Sequence, residues 1–171
     1  MDGKSERQAY TFHSMEFMSA RAGRSWTPTI AVLSLNGKYI VGSYDTQYKI
    51  QVVDLDQGQL IRTFNRKYPR LKHVIDDYER KFNEQTGAPP MEFNPDVIGI
   101  KLGEDKIWVR TSTTDPKKGD LWDVFSMDGK FLDSFYLGPG RTLLRVEPDH
   151  IFVTEKTADE TLALVKYKIR A

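Results

Sequence analysis

Short apolar runs separated by turn residues dominate the pattern of this chain, and they predict β-strands. Three related runs each follow a short turn, and each leads through a polar loop into a second apolar run. The first runs are 38–41, 106–109 and 150–153, and the second runs are 48–53, 121–125 and 161–165. The first two copies add a turn around Gly58 or Gly129 and a third run ending at Phe64 or Phe135. The pattern predicts an antiparallel meander that occurs nearly three times.

The spacing of the copies predicts a β-propeller. Ile107 and Ile151 lie 44 residues apart, whereas Gly58 and Gly129 lie 71 apart because an insertion separates the first two copies. A period of about 40–45 residues with several strands in each unit is typical of propeller blades. The predicted fold class is therefore all-β, with about three four-stranded antiparallel blades and one helical insertion. Propellers have many functions, so this architecture alone does not predict an activity.

The blades are predicted within a single domain spanning 1–171, and Asn36-Gly37 gives the strongest hairpin signal, for a type I′ turn. The predicted blades are 29–65, 96–137 and 142–170. Their predicted strands are 29–35, 38–44, 48–54, 59–65, 97–102, 106–112, 120–127, 130–137, 142–147, 150–155 and 161–169. The third blade lacks a fourth strand. Residues 8–20 predict a further strand, which either completes that blade or belongs to a preceding blade.

The insertion at about 66–90 changes from strand to helix periodicity. Leu71, Val74, Ile75, Tyr78 and Phe82 form one helical stripe. With Pro in the first turn and Gly after the end, the pattern predicts a helix over 69–85 whose apolar stripe packs on a sheet or on a partner.

Composition narrows the class of protein. The chain has 171 residues, a formal net charge of +1 and no cysteine, so disulfides and thiolate chemistry are excluded and no overall charge favours nucleic acid. No apolar run approaches the roughly 20 residues that span a bilayer. The first residues form no signal peptide, so the expected location is cytoplasmic, or extracytoplasmic if the chain is a fragment of an exported protein.

Several of these segments together resemble the bacterial six-bladed β-propeller proteins of the NHL-like type. The segments are 48–54 with Gly58, 65–69 followed by the helix, 107–109, and 122–132. The resemblance implies that the chain corresponds to the C-terminal half of such a ring. The family carries no catalytic motif that can be transferred to this sequence.

A half-ring would expose an apolar face at each end, because blades bury their faces against neighbours. Two copies with three blades each would cover both faces. We therefore expect self-association, most simply as a dimer, or the presence of further N-terminal blades in the natural protein.

The loops that leave the second strands and enter the first strands share one face of the predicted blades. We call this end the loop face, and it is the default ligand site. Two inner-strand cations, Lys101 and Arg145, match each other at a spacing of 44 residues, with Ser34 at the corresponding place in the first blade. The candidate ligand-binding residues are Arg24, Trp26, Tyr44, Asp45, Lys101, Asp115, Arg141 and Arg145.

Other polar residues have simpler interpretations. The aspartates Asp54, Asp56, Asp123 and Asp128 are expected to bond backbone N–H groups in or beside turns. The histidines, at 13, 73 and 150, have no metal-like spacing, so neither a metal nor another cofactor is predicted.

The preferred function is a non-catalytic binding or interaction module that uses the loop face for a protein or small-molecule ligand. The alternative is part of a six-bladed propeller enzyme, lactonase- or lyase-like, whose catalytic residues lie outside this chain. No Ser/His/Asp set supports that alternative.

Overall fold

A computed structural model describes residues 30–34, 36–44, 46–103 and 105–169. This part of the chain is mostly β-structure, in three antiparallel sheets with three or four strands each, which confirms the predicted all-β class. The predicted strand at 8–20 lies outside the described residues.

Each sheet is a meander in which strands adjacent in sequence are hydrogen-bonded neighbours. The first sheet contains β1 (Ile30–Leu33), β2 (Tyr39–Ser43), β3 (Lys49–Asp54) and β4 (Gln59–Asn65). The second contains β5 (Val97–Leu102), β6 (Lys106–Asp115), β7 (Gly119–Ser126) and β8 (Phe131–Leu137). The third contains β9 (Arg141–Val146), β10 (His150–Lys156) and β11 (Leu162–Lys168). Most of the predicted boundaries are correct to within one or two residues.

The first hairpin turn differs from the predicted type. The Gly37 N–H donates to the Ser34 carbonyl at 2.9 Å, so Gly37 occupies the fourth position of the turn and not a central one. Its φ of +69° favours glycine at that position. The same arrangement recurs between β7 and β8, where Gly129 donates to the Ser126 carbonyl at 2.9 Å.

The insertion contains one helix, α1 (Asp77–Thr86), which begins eight residues later than the sequence pattern predicts. Asp76 caps its N-terminus by accepting from the Glu79 N–H at 2.7 Å, and Gly87 ends it in the left-handed conformation, as predicted. The prediction that the apolar residues of the insertion form one packed helical face was wrong. Val74 precedes the helix and is 85% exposed, and Tyr78 within it is 75% exposed.

The core consists of two apolar clusters, one on each face of the second sheet. On one face, Ile107, Val109 and Phe125 pack with Val41 and Val52 of the first sheet. On the other face, tryptophans of β6 and β7 pack against the third sheet; this cluster includes Trp108, Trp122, Val124, Leu143, Val146 and Val153. The first strands also contact one another in order, β1 with β5 and β5 with β9. The second sheet is therefore buried on both sides.

Gly119, at the start of β7, is the position where the fold least tolerates a side chain. Its φ is +87°, and a Cβ atom there would lie 1.9 Å from the Leu137 carbonyl oxygen. Gly87 also has a positive φ of +69°, but no atom lies within 4 Å of the place for its Cβ.

We expect Gly119→Ala to destabilise the protein more than Gly87→Ala. The second variant carries only the backbone strain, about 1 kcal/mol, whereas the first must also displace the β8 backbone. Urea unfolding of both variants measures the difference. Equal losses would show that the β7–β8 junction can relax freely.

Candidate functional site

A fully buried carboxylate joins the first two sheets. Asp123 in β7 accepts hydrogen bonds from the Tyr48 hydroxyl at 2.8 Å and from the Ser134 hydroxyl at 2.6 Å, and it forms an ion pair with Arg66. Burial and the neighbouring carboxylate raise the pKa of Tyr48. The expected turn role of Asp123 is therefore wrong, because its carboxylate binds side chains from other elements. Asp54 does have the expected turn role, accepting from the backbone N–H groups of two following residues.

A second buried carboxylate lies where the insertion returns to the second sheet. Asp96 accepts from the Tyr48 backbone N–H at 2.9 Å and from Arg70 Nε at 3.2 Å. Arg70 also donates to the Thr46 carbonyl at 3.2 Å and lies 4.5 Å from the centre of the Phe93 ring. Each buried charge is thus paired, as a low-dielectric site requires.

Beyond the ion pairs of Arg66 and Arg70, backbone hydrogen bonds join the two ends of the insertion. The His73 N–H donates to the Glu92 carbonyl at 3.0 Å, and the Asn94 N–H donates to the Leu71 carbonyl at 2.9 Å. The His73 ring contacts two acceptors, Glu79 Oε2 at 2.6 Å and Asn94 Oδ1 at 2.7 Å. Both ring nitrogens can donate only when the imidazole is protonated, and these bonds, the one to Glu79 first, raise the pKa of His73.

We call Arg66, Arg70, Asp96 and Asp123, together with Tyr48, the anchor network. Each of its carboxylates forms an ion pair with an arginine, and the raised pKa of Tyr48 keeps the tyrosine hydroxyl protonated. This arrangement suits a cross-link between the insertion and two sheets, and it offers neither a general base nor a nucleophile.

The predicted loop-face residues do not assemble into one described site. Arg24, Trp26 and Asp45 lie outside the described residues. Tyr44 is buried, and a Cβ on Gly42 would lie 1.9 Å from its hydroxyl.

The other two loop-face candidates bond within the chain. Asp115 accepts from the N–H groups of Lys117 and Lys118, the first being the main reason that its pKa is lowered. Arg141 Nε lies 2.7 Å from Glu155 Oε1, and its guanidinium lies 5.4 Å from the Tyr167 ring centre. Asp115 thus caps a turn, and Arg141 belongs to a local ion pair.

Lys101 and Arg145, the two cations matched at a spacing of 44 residues, occupy equivalent positions on the first strands of their sheets. Lys101 in β5 pairs with Trp108 of β6, and Arg145 in β9 pairs with Phe152 of β10. Arg145 Nε lies 3.2 Å from Glu147 Oε1.

A groove with a volume of about 530 Å³ lies at the opposite end of the strands from the loop face. It crosses all three sheets, since its lining comes from the β1–β2, β5–β6, β7–β8 and β9–β10 connections. We call it the turn groove, and its lining includes Ser34, Asn36, Tyr39, Gly103, Arg145 and Glu147. Sequence reasoning paired Ser34 with Arg145 by position but did not predict a groove, because the cavity arises only when several separate turns converge.

Within the described ranges, no three histidine, aspartate or glutamate side chains converge in a way that could hold a metal ion. Among the same residues, no helix is long and apolar enough to cross a bilayer.

Comparisons with known proteins include a structural likeness of low similarity. No family model matches the chain, and no curated protein matches it. A solved structure described as "Structure of U3-55K" is similar to this chain with a TM-score of 0.43 and 13% sequence identity. The match covers 86% of this chain and 41% of that chain, so this chain spans less than half the length of the protein it matches. A likeness at this level carries no argument about function.

We expect Asp123→Asn to destabilise the protein by about 2–4 kcal/mol, because it leaves the Arg66 charge without its buried partner. Asp133→Asn, on the neighbouring β8 strand, is the matched control, since Asp133 is exposed and accepts from the next backbone N–H. Chemical unfolding of both variants tests this. A loss for Asp123→Asn no larger than that for the control would contradict the cross-linking role.

The His73–Glu79 contact predicts a pH-dependent contribution to stability. The pKa of His73 is raised in the folded state. The stability that this contact contributes is therefore fully present below the unfolded pKa of about 6.5, and it is lost as the pH rises through the folded-state pKa. Glu79→Gln should therefore lower the pKa of His73 and cost more stability at about pH 6 than at about pH 9.

An NMR titration of His73, with unfolding at both pH values, measures these effects. Glu84→Gln, also on α1 and exposed, is the control and should leave the titration unchanged. An unchanged His73 titration in Glu79→Gln would show that the contact does not form in solution.

Proposed function

We propose that this chain is a non-catalytic binding module built from three consecutive propeller blades. The support is the sequence repeat together with the meander order of each sheet and the contacts of β1 with β5 and of β5 with β9. First strands that contact one another in sequence order fit a radial arrangement of the sheets. The half-ring interpretation and the resemblance to six-bladed proteins remain part of this proposal.

We place the preferred ligand site in the turn groove because of the volume and position of this groove. Its volume is in the range of small-molecule sites, and it lies where several sheets meet. Among the loop-face candidates that the structure describes, Arg141 and Asp115 are engaged in local bonds. For Arg24, Trp26 and Asp45, which lie outside the described residues, a ligand-binding role at the loop face remains a prediction.

The chemistry of the groove favours a small ligand or peptide that carries a carboxylate. Arg145 contributes a guanidinium that is more than half exposed and whose ion pair with Glu147 involves Nε. Guanidinium groups bind carboxylates through parallel N–H donors, so an incoming carboxylate can share or replace the Glu147 contact. Tyr39 and Met127 add apolar surface beside these polar groups.

The chain provides a matched pair of arginines for testing the site. Arg141 and Arg145 both lie on β9 and both pair with a glutamate, but they lie at opposite ends of the strand. We expect carboxylate-bearing peptides to shift the NMR signals of Arg145 and Asn36, and neutral sugars to leave them unchanged. Arg145→Ala should weaken binding about tenfold or more, while Arg141→Ala should leave it intact.

Shifts centred on Arg141 and Glu155 would instead place the site on the loop face. If neither peptides, sugars nor inorganic phosphate shift any signal, the binding proposal for the isolated chain fails.

A further inference from the structure

The third sheet has one described strand fewer than the other two sheets, and the missing place lies beside β11. In the first and second sheets the third strands, β3 and β7, are paired on both sides, with β4 and β8 as their outer neighbours. Among the described residues, no strand pairs with the corresponding side of β11, which we call the outer edge. The backbone N–H and C=O groups along such an edge can pair with an extended segment of another chain.

The register of the sheets shows which residues of β7 and β11 correspond. Trp108 of β6 pairs with Val124 of β7, and Phe152 of β10 pairs with Lys166 of β11. Trp108 and Phe152 occupy the same place in their sheets, opposite the two matched cations of β5 and β9. Lys166 therefore corresponds to Val124.

In both four-stranded sheets the fourth strand places a phenylalanine beside the third strand. Phe135 of β8 lies opposite Trp122, and Phe64 of β4 lies opposite Ile50, each on a face that packs on the next sheet. Side chains on one face of a strand lie two residues apart, so Leu164 of β11 corresponds to Trp122. Leu164 is 66% exposed, because no described strand supplies it with the equivalent aromatic neighbour.

The pattern of β8 indicates the chemistry that suits the outer edge. On one face of β8, Asp133, Phe135 and Leu137 follow one another at alternate positions. The corresponding residues of β11 face away from the second sheet, and they are Lys166, Leu164 and Leu162. A segment with the β8 pattern would thus place an acid opposite a lysine and two apolar side chains opposite exposed leucines. Cross-strand pairs of both kinds stabilise a sheet.

The charge around the outer edge favours an acidic partner. The strand β11 contains two lysines, Lys166 and Lys168, and no acidic residue. Lys156 of β10 lies on the same face, opposite Leu162, and pairs with Glu160 at 3.2 Å. An acidic side chain on an added strand would therefore meet positive charge along β11.

We propose that the outer edge of β11 binds an extended segment of another polypeptide, which adds to the third sheet as an antiparallel fourth strand. The segment carries an acidic, an aromatic and an aliphatic residue at alternate positions, in that order along its chain. These three lie opposite Lys166, Leu164 and Leu162. The site is separate from the turn groove, and the proposal does not depend on the function proposed for that groove.

A synthetic peptide with the sequence of residues 130–137 is the probe, because β8 carries the matching pattern. We expect its titration to shift the NMR signals of β11 and to slow hydrogen exchange along the outer edge. Lys166→Glu should weaken binding about threefold or more, since it replaces an opposite-charge pair with like charges, and Asp133→Lys in the peptide should restore it. Lys156→Glu is the matched control and should change binding less, because β10 is already paired on both sides.

N-methylated peptides, measured against the wild-type chain, distinguish strand addition from docking of side chains alone. Backbone N–H groups point alternately to the two sides of a strand, so methyl groups on alternate residues block only one of its edges. One alternate set should abolish binding, and the other should leave it intact. Equal tolerance of both sets would overturn the proposal. So would signal shifts centred on β4 or β8, or a peptide that does not bind at all.

Discussion

The second sheet buries apolar side chains on both of its faces, and the arrangement of the whole described chain depends on this. Ile107 and Phe125 need the first sheet on one side, while Trp108 and Trp122 need the third sheet on the other. Removing the apolar surface of these two contacts from water is favourable, at roughly 25 cal/mol per Å².

The anchor network adds a polar link to this apolar packing. Asp123 and Asp96 form ion pairs with Arg66 and Arg70 at the start of the insertion, so the insertion is fixed at its base. The helix α1 has no buried residue and contributes little to the core. Buried ion pairs of this kind add little net stability but define one geometry, because breaking either partner is costly. The link holds the first two sheets in one relative position, and the turn groove depends on that position.

Strand positions could be predicted from the sequence because alternating apolar residues and turn glycines are local signals. The start of α1 could not, since Leu71 and Val74 follow helical spacing while the neighbouring Lys72 pairs with Phe93 across the base of the insertion. The sequence pattern predicted a turn role for Asp123, because the side chains that its carboxylate binds, such as Tyr48 and Arg66, are distant in sequence and give no local signal. The turn groove required several separate turns to converge, which no local pattern records. Of the predicted ligand-binding candidates, Arg145 lies in the groove, and its match with Lys101 is what marked it in the sequence.

The central claim is that the second sheet is held between the other two sheets by apolar contacts on both of its faces. Nuclear Overhauser measurements on methyl-labelled protein test it most directly. The account predicts contacts between the methyl groups of Val41 or Val52 and the Phe125 ring on one face, and between those of Leu143 or Val153 and the Trp122 ring on the other. The absence of either set of contacts would contradict it.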